Sequence, residues 1–200
     1  LPSVSAAGLI GQLPLGDGWV DHKSFVMDGV RQSPPLPVNV VGDGYFATLK
    51  IPLLAGRDFR RLDTQQNGDI VISQRAAETL FGDPNVAASV GKSLTLAPDG
   101  PTYTIVGVVG DVRARDLAMA PAPMVYRALA VPSDPNVEPA PRPSMVLAVR
   151  SSGPPGAVIP AIRQILRDLD PTVPIFDVQT MSDVVRSSIA RLTLTLTLMT

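Results

Sequence analysis

The sequence predicts an α+β fold, and three observations carry that prediction. Runs of strand type, such as Ile70-Val71-Ile72 and Tyr103 to Val109, alternate along the chain with a helix-period pattern, clearest over 158–169. Pro98-Asp99-Gly100 stands between two β-rich runs and supplies the fixed φ, side-chain acceptor and positive-φ residue of a tight turn, so a hairpin is expected. Helices and strands are interspersed rather than segregated, yet hairpins are present.

Element by element, residues 8–13 and 38–41 read as short strands, joined by a polar, Pro-rich connection with Trp19 and Pro34-Pro35. Asp43 is positioned to cap a short helix from Tyr45 to Leu49, which Pro52 stops. Ile70-Val71-Ile72 leads to Ser73, an N-cap for a helix over Gln74 to Phe81, and Gly82 and Pro84 end it. The hairpin follows, with strands at 94–96 and 103–109 and Gly100 as its positive-φ residue. Seven prolines between 121 and 143 predict an irregular loop around one strand near Met124-Val125-Tyr126.

A strand over Met145 to Val149 precedes the clearest helix. There Val158, Ile159, Ile162, Ile165, Leu166 and Leu169 form an apolar stripe that needs a sheet to bury it. Pro160 falls in the first turn, where it costs little. Asp170-Pro171 ends this helix, Val173 to Val178 reads as a strand, and Thr180-Met181-Ser182-Asp183 opens a last helix as a capping box with Asp for Glu. From Leu192 to Leu198, Leu alternates with Thr, which suits a strand. The cap at Thr180 favours a helix, since Thr can bond back to its own turn.

Bulk composition excludes several classes. With 200 residues, a net charge of −1 and only three lysines, the chain has no clustered basic surface for nucleic acid. It has no cysteine, hence no disulfide, thiolate metal site or Cys nucleophile. No basic start with an apolar run opens it, and no stretch of 18 apolar residues spans a bilayer.

Nor do the motifs converge on chemistry, and no catalytic, cofactor-binding or metal residues are assigned. The single histidine, His22, sits between Asp21 and Lys23 in a polar loop and reads as solvated surface. Gly91-Lys92-Ser93 resembles the end of a phosphate loop, but Val86 stands where that motif needs glycine, so a turn before a strand is expected. Val41-Gly42-Asp43-Gly44 and Gly107-Val108-Val109-Gly110-Asp111 miss the dinucleotide fingerprint, and Gly107 more simply permits a bulge or close packing. Asp58 and Asp63 around Arg60-Arg61 read as surface ion pairs. No nucleophile elbow is present.

Three stretches in fixed order do carry a family resemblance. They are Gly44 to Phe59 (GYFATLKIPLLAGRDF), Ile105 to Val112 (IVGVVGDV), and Leu169-Asp170-Pro171 running on to Ile175-Phe176-Asp177-Val178. With Ile70 to Phe81 and Val90-Gly91-Lys92 between them, they resemble the extracytoplasmic domain between the first two membrane helices of MacB/FtsX-type ABC transporter permeases. The resemblance covers essentially the whole chain.

It implies a porter-like βαβ subdomain assembled from residues 1–67 and 146–191, and a small sabre-like α/β subdomain inserted at 68–145. Residues 192–200 would begin a truncated second membrane helix. Relatives carry a further strand and helix before the stretch matching Leu1-Pro2-Ser3-Val4, so an unpaired sheet edge is expected beside residues 4–13. The implied function is non-enzymatic, without cofactor. A cytoplasmic ATPase drives a permease dimer in the cell membrane, and this domain engages a periplasmic substrate, adaptor or effector. The alternative is an extracytoplasmic solute- or lipid-binding module, which an apolar, ligand-sized cleft would favour. A hydrolase or transferase would need a converging polar site.

Overall fold

Among the described residues eleven strands share one mixed sheet in the order β11-β1-β5-β10-β7-β9-β8-β3-β4, with β2 also against β5 and β6 also against β9. In chain order they are β1 (Val4–Ile10), β2 (Asp21–Lys23), β3 (Phe25–Met27), β4 (Val30–Arg31), β5 (Leu36–Val41), β6 (Leu53–Gly56), β7 (Asp69–Ser73), β8 (Ser93–Leu96), β9 (Thr102–Val109), β10 (Val125–Ala128) and β11 (Val146–Ser151). Among the described residues four α-helices join them: α1 (Tyr45–Leu49), α2 (Gln74–Phe81), α3 (Ile159–Leu169) and α4 (Met181–Leu198). A computed structural model describes residues 1–16, 20–27, 29–32, 34–60, 68–129 and 144–198, with 191–198 as backbone alone. Trp19, Arg61, Asp63 and most of the Pro-rich loop lie outside the described residues.

The middle of the sheet explains why Ile70-Val71-Ile72 is uninterruptedly apolar. Successive strand side chains point to opposite faces. Ile70 and Ile72 pack with Ala76, Ala77 and Leu80 of α2, together with Leu94, Ile105 and Val108. Val71 points the other way, into a second core with Tyr45, Phe46, Phe59, Val109, Met124 and Tyr126. Both faces of β7 are buried, so a polar residue at either phase would cost more than a half-buried strand can absorb.

Helix α2 forms as its sequence predicts. The Ser73 hydroxyl accepts from the Ala76 N–H at 3.2 Å, and Gly82, at φ 62°, closes the helix with its N–H on the Glu78 carbonyl. Helix α4 opens on a reciprocal box: the Thr180 hydroxyl accepts the Asp183 N–H at 3.2 Å and donates to the Asp183 carboxylate at 2.6 Å. The helix runs through Leu198, so the Leu–Thr alternation is helical.

Several expectations are corrected. Asp43 does not cap α1; Gly44 does, at φ 76° and with no side-chain bond, and Lys50 at φ 57° ends the helix before Pro52 is reached. In the hairpin the positive-φ residue is Asp99 (φ 49°), not Gly100. Gly100 is required for space, because a Cβ there would lie 2.7 Å from the Leu96 carbonyl oxygen. Residues 173–178 are not a strand: Asp177 adopts φ 54°, the run pairs with no strand among the described residues, and Phe176 is 67% exposed. The connection after residue 13 holds β2, β3 and β4, and residues 53–56 form β6, all short strands without a clear alternation of their own. His22 therefore lies in β2 rather than in a loop, still exposed, with Nδ1 2.9 Å from the Val20 carbonyl oxygen.

One edge of β1 is covered along its length by antiparallel β11, while its other edge meets a strand, β5, only through Ile10–Val41. Among the described residues an edge beside this segment is thus left unpaired over residues 4–9, as expected, and β11 and β4 stand at the two ends of the sheet. The sheet runs without interruption from β5 through β10 to β7, because β10 pairs parallel with β5 and antiparallel with β7.

Candidate functional site

The motif residues converge on one another rather than on a cleft. β6 pairs with β9 through Gly56–Gly107, and the Arg57 N–H donates to the Val106 carbonyl at 2.9 Å. The crossing is so close that a Cβ on Gly107 would stand 2.1 Å from the Arg57 carbonyl oxygen. The β7–β9 register shifts at the same place, between Ile70–Ile105 and Val71–Gly107, leaving Val106 as an extra residue. Gly107 therefore serves both purposes foreseen for it, a bulge and close packing. The Arg57 guanidinium turns outward to the Asp69 carboxylate at 2.6 Å and ties β6 to the start of β7.

Asp111, just past β9, completes the start of α2. Its carboxylate accepts from the Arg75 N–H at 2.8 Å, so two of the helix's free amides are satisfied, one by Asp111 and one by Ser73. The buried Ser73 hydroxyl also accepts from the Met124 N–H at 3.0 Å. This helix N-terminus is occupied by the protein's own acceptors.

Behind it lies an aromatic cluster of Tyr45, Phe46, Phe59 and Tyr126, with ring centroids 5.0–6.2 Å apart. The Tyr45 and Tyr126 hydroxyls hydrogen-bond to each other. Burial pushes both phenols well above their ordinary range, so they stay neutral. The recess beside them, lined by Asn39, Gln12 and Met124, holds ≈ 10 Å³, space for a single water. It does not accommodate a solute or a lipid chain.

The groups dismissed from sequence remain apart. Lys92 caps the Phe81 ring at 4.1 Å, in a turn whose Gly91 N–H bonds the Ile105 carbonyl, as a turn before a strand requires. The Asp58 carboxylate accepts from the N–H of neighbouring Phe59. Among the described residues no three His, Cys, Asp or Glu gather as metal ligands, and no helix is long and apolar enough to cross a membrane.

What stands out instead is an exposed apolar surface at the β11 end of the sheet. Leu9 and Leu147 pair directly across β1 and β11 and are 38% and 41% exposed. Helix α3 buries its stripe only in part: Val158 is covered, Ile159, Ile162 and Leu166 are half-buried, and Ile165 and Leu169 are open. The helix pattern foretold the stripe. Only the assembled structure reveals that the far end of the stripe and Leu9–Leu147 are left exposed.

Solved structures share this architecture. The periplasmic region of MacB from Actinobacillus actinomycetemcomitans matches 95% of this chain and 78% of its own, at 14% identity and a TM-score of 0.62. The extracellular domain of the ABC-type transporter YknZ from Gram-positive bacteria matches 89% of this chain and 82% of its own, at 16% identity and a TM-score of 0.53. None of the curated proteins matches. Residues 9–165 match the MacB-like periplasmic core domain, and the chain therefore belongs to that family, the extracytoplasmic domains of membrane-bound ABC transporter permeases.

Proposed function

We propose that this domain is a non-enzymatic relay, coupling ATP hydrolysis by a cytoplasmic ATPase to a periplasmic substrate, adaptor or effector of a dimeric permease. The observation that carries the reading is the continuous helix α4, rigidly started by the Thr180–Asp183 box and uncharged after Arg191. Residues 192–200 are read as the beginning of a membrane helix, where Thr bonds back to its own turn. A rigid element that runs from the membrane into the domain transmits displacement, whereas a loop would absorb it.

The same reading keeps 1–67 with 146–191 as a porter-like part and 68–145 as a sabre-like insertion. Pairing of β1 with β11 supports the first grouping, while β10 with β5, β6 with β9 and β3 with β8 join the two parts in one sheet. The single-water recess gives no support to a solute- or lipid-binding module.

The test uses the full-length permease with its ATPase. These 200 residues hold no cysteine, so Ala88→Cys on the insertion and Ala190→Cys on α4 can each carry a spin label. The distance distribution between them is expected to shift between the nucleotide-free and ATP-locked states. An unchanged distribution overturns the coupling.

A further inference from the structure

The turn after β1 carries a residue that does not suit its backbone. The Gly16 N–H bonds the Leu13 carbonyl at 3.1 Å and closes a four-residue turn with Pro14 and Leu15 at its centre. Leu15 adopts φ 63°. Proline holds a negative φ at the first central position, so the positive φ at the second makes this a type II turn. That second position ordinarily takes Gly or Asn, because a bulky side chain is strained there. Glycine stands one place too late, at Gly16.

Leu15 is held by a hydrogen bond and by burial. Its N–H donates to the Ala114 carbonyl at 2.7 Å, on the loop after β9, and the residue is 5% exposed. The chain just before the turn is anchored separately. The Gly11 N–H donates to the Val40 carbonyl, and the Asn39 side-chain amide both accepts from the Gln12 N–H and donates to the Gln12 carbonyl. The turn is therefore the first backbone past a fixed point. Leu13, Pro14 and Ala114 line the small recess together with Met124, Tyr45 and Tyr126.

We propose that the Leu13–Gly16 turn is a two-state latch over this recess. Turning over the Pro14–Leu15 peptide converts a type II turn to type I, in which the second central residue has a negative φ that leucine adopts freely. The same movement swings the Leu15 N–H away from the Ala114 carbonyl. One peptide flip thus relieves the backbone, breaks the bond and frees the turn from the loop after β9. In the closed state the Leu15–Ala114 bond and the burial of Leu15 outweigh the strain; in the open state solvent reaches Met124 and the tyrosine pair. Neither the Gln12–Asn39 bonds nor the β1 ladder has to break, so the latch opens far more often than the sheet unfolds.

The experiment uses the full-length permease on a cysteine-free background, with reaction of a maleimide as the readout. Met124→Cys reports the recess, and Ile105→Cys, in the other core, reports unfolding of the sheet. The thiol at 124 should react roughly tenfold or more faster than the thiol at 105, and equal rates overturn the latch. Strain is read by adding Leu15→Ala or Leu15→Gly to Met124→Cys. Both lose the apolar anchor, but only alanine carries a Cβ in the left-handed region, so the alanine variant should react roughly fivefold faster. A glycine variant that reacts as fast or faster overturns the strained switch. Where a substitution disturbs folding, amide exchange on the unsubstituted permease decides. The Leu15 amide should be protected roughly tenfold less than the Gly11 amide, and equal protection overturns the latch.

Discussion

Arg150 on β11 donates two hydrogen bonds to one carbonyl, that of Thr48 in the last turn of α1, from Nε at 2.9 Å and Nη2 at 2.6 Å. The residues are 102 apart in sequence. A guanidinium at a helix C-terminus meets unsatisfied carbonyls and the negative end of the helix dipole together, so it clamps a five-residue helix too short to persist alone.

Replacing Arg150 should therefore loosen the β1–β11 strand pair from the aromatic core. Arg150→Ala is expected to lower stability by about 1.5–3 kcal/mol, the range for hydrogen bonds from a charged donor. Arg150→Lys keeps the charge but loses the planar fork, so it should recover only part. Urea denaturation of both variants checks this, and an Arg150→Ala midpoint equal to wild type would reject the clamp.

Gly107→Ala should be among the most damaging single-methyl changes available in this chain. The added carbon would collide with the backbone oxygen of Arg57 rather than with a flexible side chain. A loss of about 3 kcal/mol or more is expected, with the variant largely insoluble. Gly153→Ala is the control, because a Cβ there meets nothing within 4 Å and φ is not in the left-handed range. Soluble yield and melting temperature separate the two, and equal behaviour would disprove the close crossing of β6 and β9.

The start of α4 should be sensitive to acid. Hydrogen bonds from Thr180, with the Arg186 charge a lesser contribution, hold the Asp183 carboxyl below its usual range. A depressed folded-state pKa contributes stability that is fully present above the unfolded value of about 3.9 and lost as pH falls through the folded one. Amide protection over 181–186 should thus be flat from pH 7 to about 5 and fall below pH 4. In Asp183→Asn that acid step should vanish, and its persistence would locate the sensitivity elsewhere.

Local chemistry made much of the fold legible in advance. Ser73, Gly82, Thr180 and Asp183 bond within their own turns, so neighbours in sequence are enough to specify α2 and α4. The run Ile70-Val71-Ile72 announced a strand buried on both faces, and Gly107 announced a tight approach without naming what approaches. The family motifs were visible for the same reason, since each demands small or β-branched residues at fixed places.

Other features depend on partners far along the chain. Asp43 had the chemistry of a cap, but the close contact of Gly44 with β1 fixed a left-handed entry to α1 that a side chain could not use. Val173 to Val178 had the composition of a strand, but a strand exists only where another backbone offers its hydrogen bonds. Asp111 and Arg150 gave no sign that they would serve helices beginning 37 residues earlier or ending 101 residues earlier (Gln74 and Leu49). The sequence by itself determined which segments could be helix or strand and that no catalytic constellation is spelled out. Only the tertiary structure decided which edge stays open and where the motifs meet, because those outcomes are set by contacts between residues far apart in the chain.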